Sequence, residues 1–261
     1  MPLLVRTWNV FHGNAVPPER RAFLEEMVRL ASADDPDVLC LQEVPVWALR
    51  RLDSWSGMRS FGAVAARPLL VSADLGRVIT DFNHGLLRSA FTGQANAILL
   101  QRELRPLASD SIVLNPASFR RAQARALALD RRARLTWAKE RRVCQAVRTS
   151  EAVVANLHVS NHPDARVRDV ELLRAATFAD AFAEPAEPLV LAGDFNLRPQ
   201  ESAALEQLAS SDWGFSPAIA GLDQVLVRDA EATPARRWPE ERRRIHGRLV
   251  SDHAPVEVRI P

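Results

Sequence analysis

Short apolar runs bounded by turn residues alternate along this chain with longer stretches of helical period. Four apolar residues in a row, as in Val38-Leu39-Cys40-Leu41 and Leu189-Val190-Leu191-Ala192, suit strands covered on both faces. Strands are therefore predicted at about 3–9, 37–42, 58–66, 96–101, 111–114, 189–194, 224–227 and 255–260. A hairpin of 143–147 and 152–158 is predicted around Thr149-Ser150-Glu151. Apolar spacing predicts a helix opened by Pro17-Pro18-Glu19 and carrying Phe23, Leu24, Met27, Val28 and Leu30. Further helices are predicted around 46–52, over the Ala-, Leu- and Arg-rich 119–138, over 166–182 and over 202–209. Helical turns are expected between 68 and 92. The alternation points to α/β layers rather than a helical bundle or an all-β sandwich. No repeat, low-complexity tract or dividing linker is present, so one domain over residues 1–261 is expected.

Composition keeps the protein in the ordinary soluble range, with 47% hydrophobic and 25% charged residues, and its length is ample for a core. Two cysteines cannot staple a chain of this size. Cys40 reads as a buried reduced thiol and Cys144 as part of another strand. No run approaches the ~18 apolar residues of a membrane span, and the N-terminus enters a strand pattern unlike a signal peptide. A cytoplasmic monomer without a membrane partner is expected. The net charge of +2 conceals a skewed inventory: of 34 basic residues only Lys139 is lysine, and tyrosine is absent. One Arg-rich stretch runs from Arg120, Arg121 and Arg125 through Arg131, Arg132 and Arg134 to Arg141 and Arg142. A second holds Arg236, Arg237, Arg242, Arg243, Arg244 and Arg248, with Trp238 among them. Guanidinium groups chelate phosphate oxygens, yet alanines or acids interleave both stretches, as on a solvated face.

Polar residues recur where the apolar runs end. Asn9 follows Val5–Trp8, Gln42 and Glu43 follow Val38–Leu41, and Asn156 and His158 close the second strand of the hairpin. Asp194 and Asn196 follow Gly193 at i and i+2, Asp223 precedes Val225-Leu226-Val227, and Ser251-Asp252-His253 precedes the last strand. Each has an ordinary explanation alone, Gly193-Asp194-Phe195-Asn196 as an Asx-type turn or His158 as a satisfied core histidine. Together they are harder to dismiss. Strand ends on one sheet edge converge, and acids, amides and imidazoles suit a hard cation and a phosphate.

These residues, in this order, make the sequence resemble the endonuclease/exonuclease/phosphatase superfamily of metal-dependent phosphoesterases, which includes pancreatic-type deoxyribonuclease, abasic-site endonucleases, inositol polyphosphate 5-phosphatases and neutral sphingomyelinases. The resemblance runs through Thr7-Trp8-Asn9, Leu41-Gln42-Glu43, 93–99, Glu140-Arg141-Arg142, Asn156-Leu157-His158, Gly193-Asp194-Phe195-Asn196, Leu222-Asp223-Gln224-Val225 and Ser251-Asp252-His253. It implies a four-layer α/β sandwich of two mixed sheets packed face to face with helices outside. It further implies Mg²⁺, with Mn²⁺ as a substitute, held by Glu43, Asn9 and Asp252. Asp194 would orient or deprotonate water, Asn196 would hold water or phosphate, His253 paired with Asp223 would sit at the scissile phosphate, and His158 would supply a second imidazole. Gln224 departs from the Tyr or His of many relatives, and no acid partner for His158 can be placed, Glu103 being isolated beside Arg102.

The resemblance implies a phosphate-ester substrate and leaves its class open. A nuclease reading draws on the second Arg-rich stretch, whose ends are anchored at the expected site: Trp238, Arg242, Arg243 and Arg244, with Arg198, would track and stack on nucleic acid. A phosphomonoesterase for sugar or inositol phosphates is faintly suggested by Asn196-Leu197-Arg198, but Gly221-Leu222 stand where the 5-phosphatase branch has Trp-Cys. A lipid phosphodiesterase and a non-catalytic phosphate-binding module are the remaining alternatives.

Overall fold

In the computed structural model, which describes residues 2–19, 21–68 and 92–261, two mixed sheets pack face to face. The first contains β1 (Leu3–Asn9), β3 (Val38–Val44), β4 (Arg59–Ala66), β5 (Gln94–Leu100), β11 (Arg236–Arg237) and β14 (Val256–Ile260), in the order β11-β14-β1-β3-β5-β4. The second contains β6 (Pro106–Val113), β7 (Val143–Thr149), β8 (Val153–His158), β9 (Leu189–Asp194) and β10 (Asp223–Arg228), in the order β10-β9-β8-β7-β6. Among the described residues only the pairs β1–β3 and β8–β9 are parallel. A small third sheet of β2 (Ala15–Val16), β12 (Arg244–Ile245) and β13 (Arg248–Val250) joins the two distant loops that flank the site. Among the described residues no helix is long and apolar enough to cross a membrane. The turns expected between 68 and 92 lie almost wholly outside the described residues.

Period-two alternation decides which side chains enter the sandwich. Leu3, Val5, Val38, Cys40, Val154, Val190, Ala192, Val225 and Val258 meet in the central core between the sheets. The opposite faces are apolar as well, which is why these strands read as continuous hydrophobic runs. Leu39 and Leu41 pack with Met27 and Val28 of α1 (Leu24–Ser32). Ala155, Leu157 and Leu191 pack with Leu172 and Ala176 of α5 (Ala165–Phe182), beside α6 (Ala203–Leu208). Helix, sheet, sheet and helix make four layers, as the resemblance implied.

Two helical expectations are corrected. The helix expected to open at Pro17 begins at Leu24, because Ala15–Val16 are drawn into a strand with β13. After α2 (Leu52–Ser56), the expected helix 119–138 is two, α3 (Ala117–Ala126) and α4 (Arg131–Trp137). Ala128 takes a φ of 52° between them, and the Asp130 carboxylate accepts from the Ala133 N–H to start a new helix. Helix propensity hid that capping signal. Cys40 and Cys144 are buried and unbridged, and burial raises both thiols out of reach of ionisation.

Toward one end of the sandwich the inward positions turn polar. Thr7 and Asn9 follow Leu3 and Val5; Asn156 and His158 follow Val154; Asp194 follows Val190 and Ala192; Asp223 begins β10 opposite Asp194. Below this edge a layer of amides ties the sheets together. Gln42 Nε2 donates to Thr7 Oγ1 (2.9 Å) and to Asn156 Oδ1 (2.7 Å). Asn156 Nδ2 donates to the carbonyls of Leu41 (2.9 Å) and Ala97 (2.8 Å), and Asn96 Nδ2 to that of Val143 (3.1 Å). These bonds fix how one sheet sits over the other, so the polar strand ends meet in register.

Candidate active site

Asp194 lies at the centre of the polar edge, 1% exposed. Its Oδ2 accepts from Asn9 Nδ2 at 3.0 Å and lies 3.3 Å from His158 Nε2 and 3.8 Å from His253 Nε2. Its Oδ1 accepts from the Asn196 backbone N–H at 3.0 Å. Asn196, at a φ of 50°, turns its side chain to donate to the Val159 carbonyl. His253 Nδ1 meets Asp223 Oδ1 at 2.9 Å and Oδ2 at 3.0 Å. One carboxylate oxygen thus faces two imidazoles and an amide, and first and second sheets both contribute.

His253 reaches the site because Ser251, at a φ of 57°, turns the chain sharply. Ser251 Oγ donates to the Asn9 carbonyl (2.7 Å) and accepts from the His253 N–H (3.0 Å). Trp8 Nε1 donates to the His253 carbonyl at 3.0 Å, and Arg243 Nη1 donates to the carbonyls of Ser251 (2.8 Å) and His253 (3.0 Å). Glu43 arrives by a different device. The β3–β5 pairing slips between Leu41 and Val44, and Glu43 takes a φ of 55°; such a bulge re-aims a side chain. Its Oε2 lies 3.5 Å from His12 Nε2 and its Oε1 3.9 Å from His158 Nε2. Phe11, His12, Glu43, Asn196 and Ser251 all have positive φ, the backbone strain expected where side-chain aim outweighs local comfort.

The two imidazoles differ electrostatically. His158 Nδ1 receives N–H groups from Arg142 Nη1 (3.1 Å) and Gln94 Nε2 (3.2 Å). A guanidinium can only donate, so Nδ1 carries the lone pair and Nε2 the proton. Burial, then the Arg142 charge, then those of His253 and His12 push the His158 ring well below its ordinary pKa. Burial also opposes charge on His253, but the Asp223 hydrogen bond and the charges of Asp194, Asp223 and Asp252 outweigh it and raise the ring to about 10. Asp194 is raised above the carboxylate range, by burial first and by Asp223 second, against the pull of His253 and the bonds from Asn9 and Asn196. The site holds a neutral donor, a charged donor and a basic carboxylate around one point.

The structure brings Asn9, Glu43, His158, Asp194, Asn196, Asp223 and His253 together. Asn9 uses its amide on Asp194 and its Oδ1 on the Phe11 N–H. Asp252 is half-exposed, its Oδ1 4.0 Å from His253 Nε2. Ligand atoms of Asp194, Asp223 and His253 lie within 4.8 Å of one another, close enough to hold a metal ion, and within the trio His253 Nδ1 is bonded to Asp223. Gln224 is buried and pins its own loop, bonding Ile219 through both its amide and its carbonyl oxygen and donating to the Gly221 carbonyl.

The second Arg-rich stretch is corrected. Trp238 is buried, packed against Trp8, with Arg6 4.5 Å and Arg242 3.6 Å from its ring centre, and its Nε1 donates to Glu257. It has no face left for a base. Arg242 pairs with Asp34 (2.8 Å), Arg243 is buried against the carbonyls it holds, and Arg244 lies exposed beside Glu240. Trp238, Arg242 and Arg243 brace the Ser251–His253 turn and the edge of the first sheet, while Arg244 stays on the surface. Arg198 is exposed and 3.5 Å from Glu201. Sequence reasoning missed His12, Gln94 and Arg142 as site residues. Arg142 lay within a quoted motif, but nothing local distinguishes it from its exposed neighbour Arg141.

Comparison with known proteins places this geometry in context. A model of the Endonuclease/Exonuclease/phosphatase family matches residues 7–253. No curated protein matches the chain significantly. Similar solved structures include a functionally unknown conserved protein from Enterococcus faecalis V583, with 15% identity, a TM-score of 0.66 and 99% of both chains covered. The human Nocturnin catalytic domain with bound sulfate gives 17% identity and a TM-score of 0.65, covering 100% of this chain and 93% of that one. TDP2 from Caenorhabditis elegans gives 16% and 0.60, covering 100% of this chain and 74% of that one. At these identities the likeness is one of fold.

Proposed function

Because the chain belongs to the Endonuclease/Exonuclease/phosphatase family, whose members act on phosphoester bonds and generally use divalent metals, we propose that it hydrolyses nucleic-acid phosphodiesters by in-line attack of water. The observation that carries the reading is the single Asp194 oxygen facing both His158 Nε2 and His253 Nε2, at 3.3 and 3.8 Å. A water held by Asp194 and Asn196 loses a proton to the Asp194 carboxylate as its oxygen bonds to phosphorus. The ester P–O bond opposite breaks in the same displacement. His158 and His253 direct their Nε2–H groups at the phosphoryl oxygens, where negative charge grows. The displaced oxygen leaves as an alcohol on taking a proton, and His253 is the ring with one to give. Burial of the trio makes each of these interactions stronger than in water.

The donors fit a hard divalent cation. Glu43 offers a carboxylate at the edge, Asp252 a half-exposed one and Asn9 an amide oxygen, a sparse oxygen set of the kind Mg²⁺ accepts alongside waters and substrate oxygens. Once bound, Mg²⁺ or Mn²⁺ supplies charge neutralisation at the phosphoryl oxygen. The test is hydrolysis of single-stranded, duplex and abasic DNA, RNA, a small activated phosphodiester, inositol phosphates and sphingomyelin, with and without EDTA, using Asp194→Ala as the blank. Cleavage of nucleic acid that needs added metal and is lost in the blank is expected. Turnover confined to monoesters or lipid, or equal turnover by the blank, would rule the proposal out.

A further inference from the structure

The helical part of the first Arg-rich stretch, residues 117–138, is less absorbed by the fold than the second stretch. Arg120, Arg121 and Arg125 of α3 and Arg134 of α4 surround a pocket of about 320 Å³ whose remaining wall is alanine and the ring of Trp137. Residues 117–138 contain six arginines and one acid, Asp130, whose carboxylate is spent on the α4 cap. Among the described residues none of the four pocket arginines forms an ion pair with a carboxylate. Arg120 donates to the Asn115 carbonyl and Arg134 to that of Leu129, and among the described residues neither Arg121 nor Arg125 has a side-chain hydrogen bond. In the second stretch, by contrast, Arg242, Arg244 and Arg248 face Asp34, Glu240 and Glu19. Four like charges around one apolar-walled cavity repel one another, and among the described residues no paired carboxylate offsets that cost. An external anion does.

The pocket adjoins the candidate site. The connection between β6 and β7 carries α3 and α4 at the end of the second sheet where β8 and β9 finish, the end that bears His158 and Asp194. A chain of bonds links the two. Arg120 donates to the Asn115 carbonyl, the Arg142 N–H donates to Asn115 Oδ1, and Arg142 Nη1 reaches His158 Nδ1. From the other side buried Glu171 accepts from Trp137 Nε1 and from the Ser160 N–H and hydroxyl, locking the pocket floor to the segment after His158. We infer that this arginine-lined pocket is an accessory phosphate site, taking a backbone phosphate of a polynucleotide strand away from the bond being cleaved. Guanidinium groups match phosphate oxygens in geometry and charge. A ligand that fills both positions carries phosphates repeated along a chain, as a nucleic-acid strand does. A contact to a backbone phosphate carries no base information, so the contribution of the pocket is independent of sequence. The inference rests on the nucleic-acid reading of the site beside it.

The test is fluorescence-anisotropy binding of a short labelled single strand to protein in the Asp194→Ala background, across a salt series. Arg121→Gln with Arg125→Gln removes two pocket charges that bond nothing else. Arg105→Gln with Arg259→Gln removes the same charge from the opposite end of the sheets. The pocket pair is expected to weaken binding about tenfold at low salt and to flatten the slope of log K against log salt by roughly 0.7, the share of one phosphate contact. The control pair is expected to leave both nearly unchanged. Equal effects of the two pairs, or no effect of the pocket pair on a strand that binds and is cleaved by wild type, sinks the pocket alone. Wild-type hydrolysis of a small phosphodiester with no strand binding by the Asp194→Ala protein sinks the nucleic-acid reading, and the pocket with it.

Discussion

Gly193 sits one residue before Asp194, in the parallel pairing that sets Leu157 beside Gly193 and His158 beside Asp194. Its φ is +148°, and a Cβ placed there would lie 1.9 Å from the Leu157 carbonyl oxygen and 2.9 Å from the carbonyl carbon. Both obstacles are backbone, so no rotamer relieves them. In Gly193→Ala the two strands must part by roughly 1 Å or more, at the pair that carries the proposed base and an imidazole. Misplacement of about 1 Å can cost ~10²-fold in rate, and strained backbone adds about 1–3 kcal/mol of instability. We expect kcat to fall about 100-fold and the unfolding free energy by about 2–4 kcal/mol, which leaves a protein of ordinary stability mostly folded. Gly57→Ala is the comparison. Gly57 has a φ of +76° with nothing within 4 Å of the added carbon, so it carries strain without collision and is expected to lose about 1 kcal/mol with kcat intact. Urea unfolding followed by tryptophan fluorescence, with steady-state hydrolysis under native conditions, separates the two. A Gly193→Ala protein with wild-type kcat would refute the reasoning, because strand separation would then not govern the aim of Asp194.

Other outcomes follow from the same geometry. In Asp223→Asn the hydrogen bond that most raises His253 loses its charge while burial remains, so the alkaline limb of kcat/KM should move down from near 10; an unmoved limb removes His253 from the acid's role. Arg142→Gln takes away the charge that, after burial, most depresses the His158 ring, so His158 should titrate at a higher pH in ¹⁵N-resolved NMR and lose its fixed Nε2–H form; identical titration in both proteins denies Arg142 that influence. Arg6 is wholly buried, at 2.6 Å from Asp34 and 2.5 Å from Glu257. Glu257→Gln should cost about 1–3 kcal/mol in urea, since a buried charge loses part of its pairing. Asp34, held at about 2 chiefly by its Arg6 hydrogen bond, and Glu257, lowered by Trp238 and Arg6 against burial, have depressed folded values. Their stabilisation is therefore present above the ordinary carboxylate range and lost as pH falls toward 2, and Glu257→Gln should flatten that acid-side decline. An unchanged acid profile would contradict the linkage.

Much of the site could be read in the sequence because it is built at strand ends, where alternation states which side chains share a face. Asn9, His158, Asp194 and Asp223 continue the inward positions of their strands, so the apolar run itself points at them. Glu43 breaks that alternation and enters through a bulge, which the sequence does not announce; the resemblance supplied it. Gln94 reaches His158 across the sandwich, Arg142 reaches it from the start of a neighbouring strand, and His12 approaches Glu43, and their neighbours in the chain give no hint of those contacts. The second Arg-rich stretch misled for the complementary reason. Being tethered at Asp223 and Ser251 located its ends but not its direction, and Trp238 and Arg243 turn inward to hold Glu257 and the Ser251–His253 carbonyls. Residues 119–138 were read as one helix because propensity sums favoured it, although Asp130 stood at the break.

The pairing of β14 with β1 has a temporal meaning. Ser251 is bound to Asn9 across 242 positions of chain and His253 to Trp8 across 245, contacts that form only after the intervening polypeptide has found its place. Neither sheet holds the chemistry alone, since Asn9 and Glu43 belong to one and His158, Asp194 and Asp223 to the other. A chain still emerging from the ribosome therefore carries Asn9, Glu43, His158, Asp194 and Asp223 before the Ser251–His253 turn that completes the polar edge. The proposed hydrolysis therefore requires the closing strand, and its appearance during refolding would time the completion of the whole molecule.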